Sequence, residues 1–454
     1  MQPTKRGAMA GDVLNAANET PPGLRSDTSG GNEDADDAPA PALRCTASEE
    51  TIRLLNTAID DEDGLQVRGK NGQKGLVAQK AFARGALLWT EPPLLMTQMF
   101  DCPFLACRHC LRSLGERRPS KAPEQQDSND DAFPIPSAED VWQRDHSSAV
   151  ATECPGACGH CYCTAACRDR AREWYHSVMC SCRADAPERG KCLQEFEAFA
   201  RLAGNEYYSM AGTGIAMAIA AAGPLCHDGM GSDRDADLDA FTHSLDQLLT
   251  EQVQSFFGQF EQRLWWQTMP GHGHSGHKTR LFAEQVEEQT REAFSLFLRC
   301  LCPLMRARLC TATPGRLHRA FARLIGAIRM NSQIVKAPHP AAAAGHCADA
   351  ADDSDEFVTG MALFRIQSCI NHSCAPNARM TYSRHEACGH AWVRALRDIG
   401  PGEELKICYL DLSLPVIARQ QQLREQYGFT CACVRCRVEA PTQTALSLLA
   451  TPPP

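Results

Sequence analysis

The chain has 454 residues, a formal net charge of −9 and 43% apolar residues. That length allows two or three domains with cores of their own, and no basic face points to nucleic-acid binding. No window approaches about eighteen consecutive apolar residues, which argues against a transmembrane helix. No basic segment followed by an apolar run opens the chain, so we do not expect a secretory signal.

The chain contains 24 cysteines, many of them in C-x2-C or C-x-C pairs beside histidines. A secreted disulfide framework is one explanation of so many cysteines. The size of the chain, the pairing and the missing signal favour zinc sites in a reduced compartment instead.

Residues 1–50 carry nine Asp/Glu against four Lys/Arg and show no hydrophobic period, which predicts a disordered tail. Within 51–101, short apolar runs from Leu65 onward alternate with Gly-centred turns and predict several short strands. A cysteine- and histidine-rich block fills 102–182. It is interrupted at about 116–150 by a polar insert that we expect to be a flexible loop.

Residues 190–310 are predicted to be helical. Phe294, Phe297, Leu298 and Leu301 share one helix face, and Pro303 is expected to end or kink that helix.

Strand patterns resume within 311–412, and the chain ends in a cysteine motif over 413–438 and a short tail over 439–454. Before that motif, Pro415 to Gln426 reads as a short helix that ends near Gly428.

The cysteine-rich block supplies enough donors for two zinc ions, because zinc takes four thiolate or imidazole ligands in a tetrahedron. The donors are Cys107, Cys110, Cys154, Cys158, Cys161, Cys163, Cys167, His176 and Cys180. Cys158 can pair with Cys154 or with Cys161, and we favour Cys154. Cys102 and Cys182 flank the block and are expected to be buried small residues. A third site is suggested by Cys431, Cys433 and Cys436, which lack one ligand.

Three motifs occur in a characteristic order: FRIQSCINHSC (Phe364–Cys374), ICYLD (Ile407–Asp411) and YGFTCACVRC (Tyr427–Cys436). Together they resemble the C-terminal half of a SET methyltransferase domain. With the split zinc-finger block, the chain resembles the SET-and-MYND protein-lysine methyltransferases, in the branch that lacks a C-terminal helical repeat domain. The resemblance implies an α+β fold: a SET-type β-fold of short strands, split by a MYND zinc finger and a helical insert, with a zinc-binding post-SET segment.

The resemblance also implies how three zinc ions are shared. A MYND finger binds two zinc ions in alternating pairs, here Cys107, Cys110, Cys163 and Cys167 for one ion and Cys154, Cys158, His176 and Cys180 for the other. In the SET family the cysteine of NHSC, here Cys374, completes the site of Cys431, Cys433 and Cys436.

The cofactor implied by the family is S-adenosylmethionine. Tyr409 matches the catalytic tyrosine and Tyr427 a second tyrosine of the lysine channel. Residues matched to cofactor binding are Lys74, Gly75, Leu76, Asn331, Asn371, His372 and Phe429. The family's Gly-x-Gly turn corresponds to Asn71–Leu76, where one glycine is displaced by a residue.

The leading interpretation is an S-adenosylmethionine-dependent protein-lysine N-methyltransferase acting on a lysine of a histone or another protein. A mildly acidic body suits a basic peptide, and the family's MYND fingers also dock proline-rich peptides. We expect a monomer in the nucleus or cytoplasm, without direct nucleic-acid binding. The alternative is an inactive SET/MYND scaffold that only binds proteins. A zinc hydrolase is disfavoured because Cys/His tetrads leave no open metal position.

Overall fold

In a computed structural model of the protein, the described residues are 48–70, 73–116, 151–222, 251–260, 263–268, 277–303, 305–306, 314–338, 357–381 and 389–439. The predicted tails and the predicted flexible insert lie outside these residues except at their edges. Within the described residues, no helix combines the length and the apolar character needed to cross a membrane.

Fourteen short strands are defined in the described residues. In chain order they are β1 (Leu65–Lys70), β2 (Gln73–Ala78), β3 (Leu87–Glu91), β4 (Leu95–Gln98), β5 (Phe104–Ala106), β6 (Ser113–Glu116), β7 (Thr152–Glu153), β8 (Cys161–Tyr162), β9 (Gln333–Pro338), β10 (Phe357–Leu363), β11 (Asn371–His372), β12 (Ala378–Thr381), β13 (Ala391–Ala395) and β14 (Lys406–Ile407).

The α-helices carry the middle of the chain and its C-terminal motif. They include α1 (Glu49–Asn56), α2 (Ala165–Ala171), α3 (Glu188–Leu202), α4 (Glu206–Ala221), α5 (His277–Cys300), α6 (Pro314–Asn331) and α7 (Val416–Gln422). A further helix of three residues spans Ser177–Met179. Wider π-helical turns extend α2 through Arg172–His176 and α7 through Leu423–Tyr427. The predicted α+β class is confirmed, whereas the individual domain boundaries stay predictions.

The strands form small sheets rather than one large sheet. β1 and β2 make an antiparallel pair, β3 joins β13 and β12, and β4 joins β10 and β9. β11 and β14 run parallel, with Asn371 opposite Lys406 and His372 opposite Ile407. The zinc finger contributes two further antiparallel pairs, β5 with β6 and β7 with β8.

The β-rich core closes around residues that are distant in sequence. Leu76 of β2 is fully buried with Ile370, Val393 and Leu405. The Leu405 amide donates to the Leu76 carbonyl at 2.8 Å. Burial of these apolar side chains therefore holds β2 next to the segments before β11 and β14.

The helical insert packs on the zinc finger through one shared core. Phe297 of α5 lies 5.9 Å, between ring centroids, from both Phe196 of α3 and Phe321 of α6. The predicted apolar face of α5 is confirmed, since Phe294, Phe297 and Leu301 are buried. Helix α5 ends at Cys300, before Pro303, as its sequence predicts.

A buried carboxylate fixes the chain within the FRIQSC residues (Phe364–Cys369). Both oxygens of Glu91, at the end of β3, accept from the backbone amides of Arg365, Ile366 and Gln367 at 2.7–3.2 Å. Trp89 Nε1 donates to the same carboxylate at 3.2 Å. Burial raises the pKa of Glu91, although these hydrogen bonds oppose the shift.

We predict that Glu91→Ala lowers the free energy of unfolding by about 3 kcal/mol, because buried amide donors lose their acceptor. Glu91→Gln retains one acceptor oxygen and should cost less. The measurement is urea unfolding with excess zinc, and the exposed Glu62→Ala is the control. A change for Glu91→Ala no larger than for Glu62→Ala would contradict this role.

Candidate active site and metal centres

Asn371 connects strand β2 to the NHSC segment (Asn371–Cys374). Its Nδ2 donates to the Lys74 carbonyl at 2.7 Å and to Glu404 Oε1 at 2.8 Å. A Cβ on Gly75 would stand 3.0 Å from Glu404 Oε1 and 3.5 Å from Asn371 Nδ2. Glycine therefore permits this close approach, and the structure brings the predicted Lys74, Gly75 and Asn371 together despite the displaced glycine.

The side chains of Lys74 and Leu76 point away from the close contact of Gly75 with Glu404 and Asn371. Leu76 is fully buried in the β-rich core, so only its backbone is available to a ligand. The Lys74 ammonium donates to the Gln259 carbonyl and stands 5.8 Å from the centre of the Phe260 ring. Lys74 thus joins the start of β2 to the segment 251–260.

Four rings cluster beside the NHSC segment. The Tyr409 ring lies 5.1 Å from that of Tyr427 and 5.3 Å from that of His372. Phe429 lies 6.0 Å from His372 and 6.3 Å from Tyr427. The predicted catalytic and cofactor-binding aromatic residues therefore share one site, and their roles stay predictions.

The Tyr409 hydroxyl has a fixed direction. It donates to the Ile370 carbonyl at 2.7 Å, which leaves its oxygen lone pairs free to accept. Burial, with a smaller contribution from Tyr427, raises the pKa of Tyr409. The hydroxyl is therefore protonated at neutral pH.

The His372 imidazole stands between Tyr409 and a metal donor. Its Nδ1 accepts from the Tyr409 amide at 3.1 Å, and its Nε2 lies 3.3 Å from Cys374 Sγ. Burial, then Lys406 and Arg419, lower the pKa of His372 to about 4. The ring is therefore neutral, and since Nδ1 accepts, the proton on Nε2 points at the Cys374 sulfur.

Asn331 behaves differently from the other predicted cofactor residues. It ends helix α6, and its Nδ2 donates to the Ala327 carbonyl of the same helix at 2.8 Å. Among the described contacts, none joins Asn331 to Asn371 or Tyr409. Its proposed contact with the cofactor stays a prediction.

Two further residues near Tyr427 were missed in the sequence. Tyr207 of α4 and Arg329 of α6 lie close enough to influence the pKa of Tyr427, which burial raises. The Arg329 guanidinium donates to the Thr268 carbonyl at 2.5 Å. Tyr207 belongs to no recognised motif, and Arg329, although it stands two residues before Asn331 in the RMNSQ stretch, was not singled out there; the packing of the helical insert brings both to Tyr427.

The first finger site contains its four predicted donors. The sulfur atoms of Cys107, Cys110, Cys163 and Cys167 all lie within 4.8 Å of one another. Cys110 to Cys163 and Cys163 to Cys167 are both 3.5 Å. Zinc at about 2.3 Å from each sulfur requires edges of about 3.8 Å, so the tetrad fits zinc.

Of the four donors predicted for the second finger site, Cys154, His176 and Cys180 lie in one group, whose fourth member is Cys182, while Cys158 lies in a neighbouring group that shares His176. His176 Nε2 lies 3.2 Å from Cys154 Sγ and 3.5 Å from Cys158 Sγ. Cys154 Sγ is 3.9 Å from Cys180 Sγ. Cys161, the alternative partner of Cys158, belongs to none of the donor groups found in the described residues.

The expectation for Cys182 needs correction. This residue is buried, as expected, but its sulfur lies within 4.8 Å of the donor atoms of Cys154, His176 and Cys180. His160 forms a similar group with Cys158 and His176. Spacing did not reveal either residue, because the Cys180–Cys182 turn and the stacking of the two imidazoles are set by the fold.

The third site closes the NHSC segment against the C-terminal motif. The sulfur atoms of Cys374, Cys431, Cys433 and Cys436 lie within 4.8 Å of one another, and four thiols fit zinc. Gln420 of α7 bonds both the amide and the carbonyl of Cys431, at 2.9 and 2.6 Å. The predicted short helix therefore positions the motif.

A separate cavity of about 690 Å³ opens beside strand β3. Trp89, Trp174, Phe256 and Arg365 are among its lining residues. None of the residues matched to S-adenosylmethionine lines it. The residues around Asn371 and Tyr409 therefore form the candidate cofactor site.

Comparison with known proteins gives matches over most of the chain. The SET domain family model matches residues 73–410. The mouse protein-lysine N-trimethyltransferase SMYD5 is 27% identical over 401 residues, which cover 81% of this chain and 84% of that protein. The Arabidopsis thaliana histone-lysine N-methyltransferase ATXR2 is 42% identical over 85 residues, covering 19% of this chain and 18% of its own.

Similarity to a solved structure is weaker. A crystal structure of the SET domain of LSMT bound to lysine and AdoHcy has 11% identity and a TM-score of 0.33, covering 83% of this chain and 56% of that one. This overlap is too small to bear on activity.

Proposed function

Since the chain belongs to the SET domain family, we propose that it is an S-adenosylmethionine-dependent protein-lysine N-methyltransferase. The supporting observation is the convergence of Gly75, Asn371, His372 and Tyr409 from three separate segments on one site. An inactive scaffold has no need to keep the Tyr409 hydroxyl oriented on the Ile370 carbonyl.

The bound cofactor supplies an electrophilic methyl group on sulfonium sulfur. A substrate lysine is an ammonium ion at neutral pH, so it would first lose a proton to solvent. Its neutral nitrogen could then take the methyl group that the bound cofactor would supply, and the cofactor would leave as a neutral thioether that keeps the electron pair of the broken S–C bond. Such an in-line displacement gains most from alignment of the two reactants.

The aromatic residues provide that alignment. The rings of Tyr409, Tyr427 and Phe429 stand close enough to form one wall, and ring faces favour the partly positive methyl and ammonium groups. The Tyr409 oxygen accepts from the lysine amine or the methyl C–H, because its own proton is held by Ile370. Asn371 keeps the β2 backbone next to the NHSC segment.

We propose a lysine in a basic peptide, such as a histone tail, as the substrate. The mildly acidic body supports this choice through complementarity, since residues 1–50, with nine Asp/Glu against four Lys/Arg, contribute −5 of the net charge of −9. We also propose that the protein acts as a monomer in the nucleus or cytoplasm without contacting nucleic acid. Sedimentation velocity and imaging of the tagged chain check these assignments.

The finger offers a second binding surface. Trp174 is 50% exposed and stands edge-on to His109, 6.1 Å between ring centroids. Exposed aromatic rings are the usual docking points for proline-rich segments. We propose that this part of the finger binds a proline-rich peptide.

We predict that Tyr409→Phe reduces methyl transfer about 100-fold, because the orienting hydroxyl is lost. The assay measures transfer from radiolabelled S-adenosylmethionine to core histones. Tyr175→Phe is the matched control, since the Tyr175 hydroxyl also donates to a backbone carbonyl, that of Arg108 in the finger. Equal activity of both variants would contradict the assignment of Tyr409.

We predict that Trp174→Ala weakens binding of a polyproline peptide at least about tenfold, while methyl transfer to histones is kept. Fluorescence anisotropy with a labelled peptide measures the affinity. Tyr409→Phe is the reciprocal control and should bind the peptide normally. Unchanged peptide affinity in Trp174→Ala would contradict binding of the proline-rich peptide at this surface.

A further inference from the structure

The second finger site holds more donors than one zinc ion uses. Six donors meet there, whereas tetrahedral zinc takes four. Two groups share His176, and within each group all donor atoms lie within 4.8 Å of one another. One group is Cys154, His176, Cys180 and Cys182, and the other is Cys158, His160 and His176.

Cys158 and Cys182 both lie beside the shared donors. Cys182 Sγ lies within 4.8 Å of the donor atoms of Cys154, His176 and Cys180, and Cys158 Sγ lies 3.5 Å from His176 Nε2. Electrostatic interactions link Cys158 to Cys154 and Cys180 as well. Cys154, His176 and Cys180 are therefore common to two possible ligand sets. The thiol of either Cys158 or Cys182 completes a tetrad of three sulfurs and one nitrogen.

The backbone holds Cys182 at the site. Its amide donates to Cys180 Sγ at 3.4 Å, and its φ of 55° lies in the left-handed region. A Cβ on Gly156 would stand 2.6 Å from Cys180 Sγ and 3.0 Å from the Cys182 nitrogen. Glycine at 156 thus lets the Cys180–Cys182 turn approach the other donors.

A buried histidine supplies an independent sign of a ligand. The His160 side chain is only 10% exposed, and its Nε2 lies 3.9 Å from Glu197 Oε1, yet neither ring nitrogen makes a hydrogen bond in the described residues. Its ring stacks on that of His176 with centroids 4.8 Å apart. Buried polar groups nearly always form hydrogen bonds, so a buried imidazole without one, beside the Cys158 thiol, indicates a metal environment.

We propose that Cys158 and Cys182 are alternative fourth ligands of the second finger zinc, exchanging on a core of Cys154, His176 and Cys180. When they exchange, a Zn–S bond to one thiol forms as the bond to the other breaks. The proton lost by the incoming thiol passes to the departing thiolate. The site therefore keeps its zinc when either thiol is removed or oxidised.

The experiment counts zinc in the full-length protein after dialysis against zinc-free, reducing buffer. Wild type, Cys158→Ser and Cys182→Ser should each retain about three equivalents. The double variant should retain about two. Cys154→Ser, which removes a common ligand, should also fall to about two and is the matched control.

Three results would overturn the proposal. Loss of one zinc equivalent in either single variant would show that the four zinc ligands are fixed. Retention of about three zinc equivalents in the double variant would show that neither thiol is needed. A fourth equivalent in wild type would place the two thiols on different ions.

If the double variant does not fold, the two single variants still test the exchange of Cys158 and Cys182. In protein loaded with cadmium-113, the NMR line of this site should stay in the range for three thiolates and one imidazole in both single variants. A line typical of two thiolates would contradict exchange.

Discussion

The His372 imidazole joins the third metal site to the candidate catalytic tyrosine. Its Nδ1 accepts from the Tyr409 backbone, and its Nε2–H points at Cys374. The neighbouring residue Asn371 holds the β2 backbone. A metal donor and two residues matched to the cofactor therefore lie within one four-residue segment, which also holds the Tyr409 backbone, so that the metal centre and the candidate active site are assembled together.

Charge balance explains why that segment needs the C-terminal helix. Four thiolates on zinc would carry a net negative charge, and the fully buried Arg419 of α7 lies close enough to Cys374 and Cys436 to interact with them. A buried charge is tolerated only beside a partner, and the guanidinium also pairs with Glu439. Helix α7 and the thiol cluster would thus stabilise each other beside Phe429 and Tyr427.

The sequence predicted the elements whose signals are local. The α5 face, the short strands after Leu65 and the helix that ends at Gly428 depend on periodicity and turn residues. The cysteine pairs likewise predicted three metal groups. Cys182 and His160 were not recognised as donors because a turn and a ring stack place them. Tyr207 was missed because only helix packing brings it to Tyr427, and Arg329 was passed over in the same stretch that gave Asn331. Asn331 matched a motif, yet its amide bonds its own helix.

The most direct test is calorimetric titration of the zinc-loaded protein with S-adenosylmethionine. We predict that the wild-type protein binds S-adenosylmethionine with about micromolar affinity. Binding should be kept in Tyr409→Phe, whose backbone bond to His372 is unchanged, and lost in Asn371→Ala, which frees the β2 backbone. No binding heat from a folded, zinc-replete wild type would contradict the methyltransferase assignment.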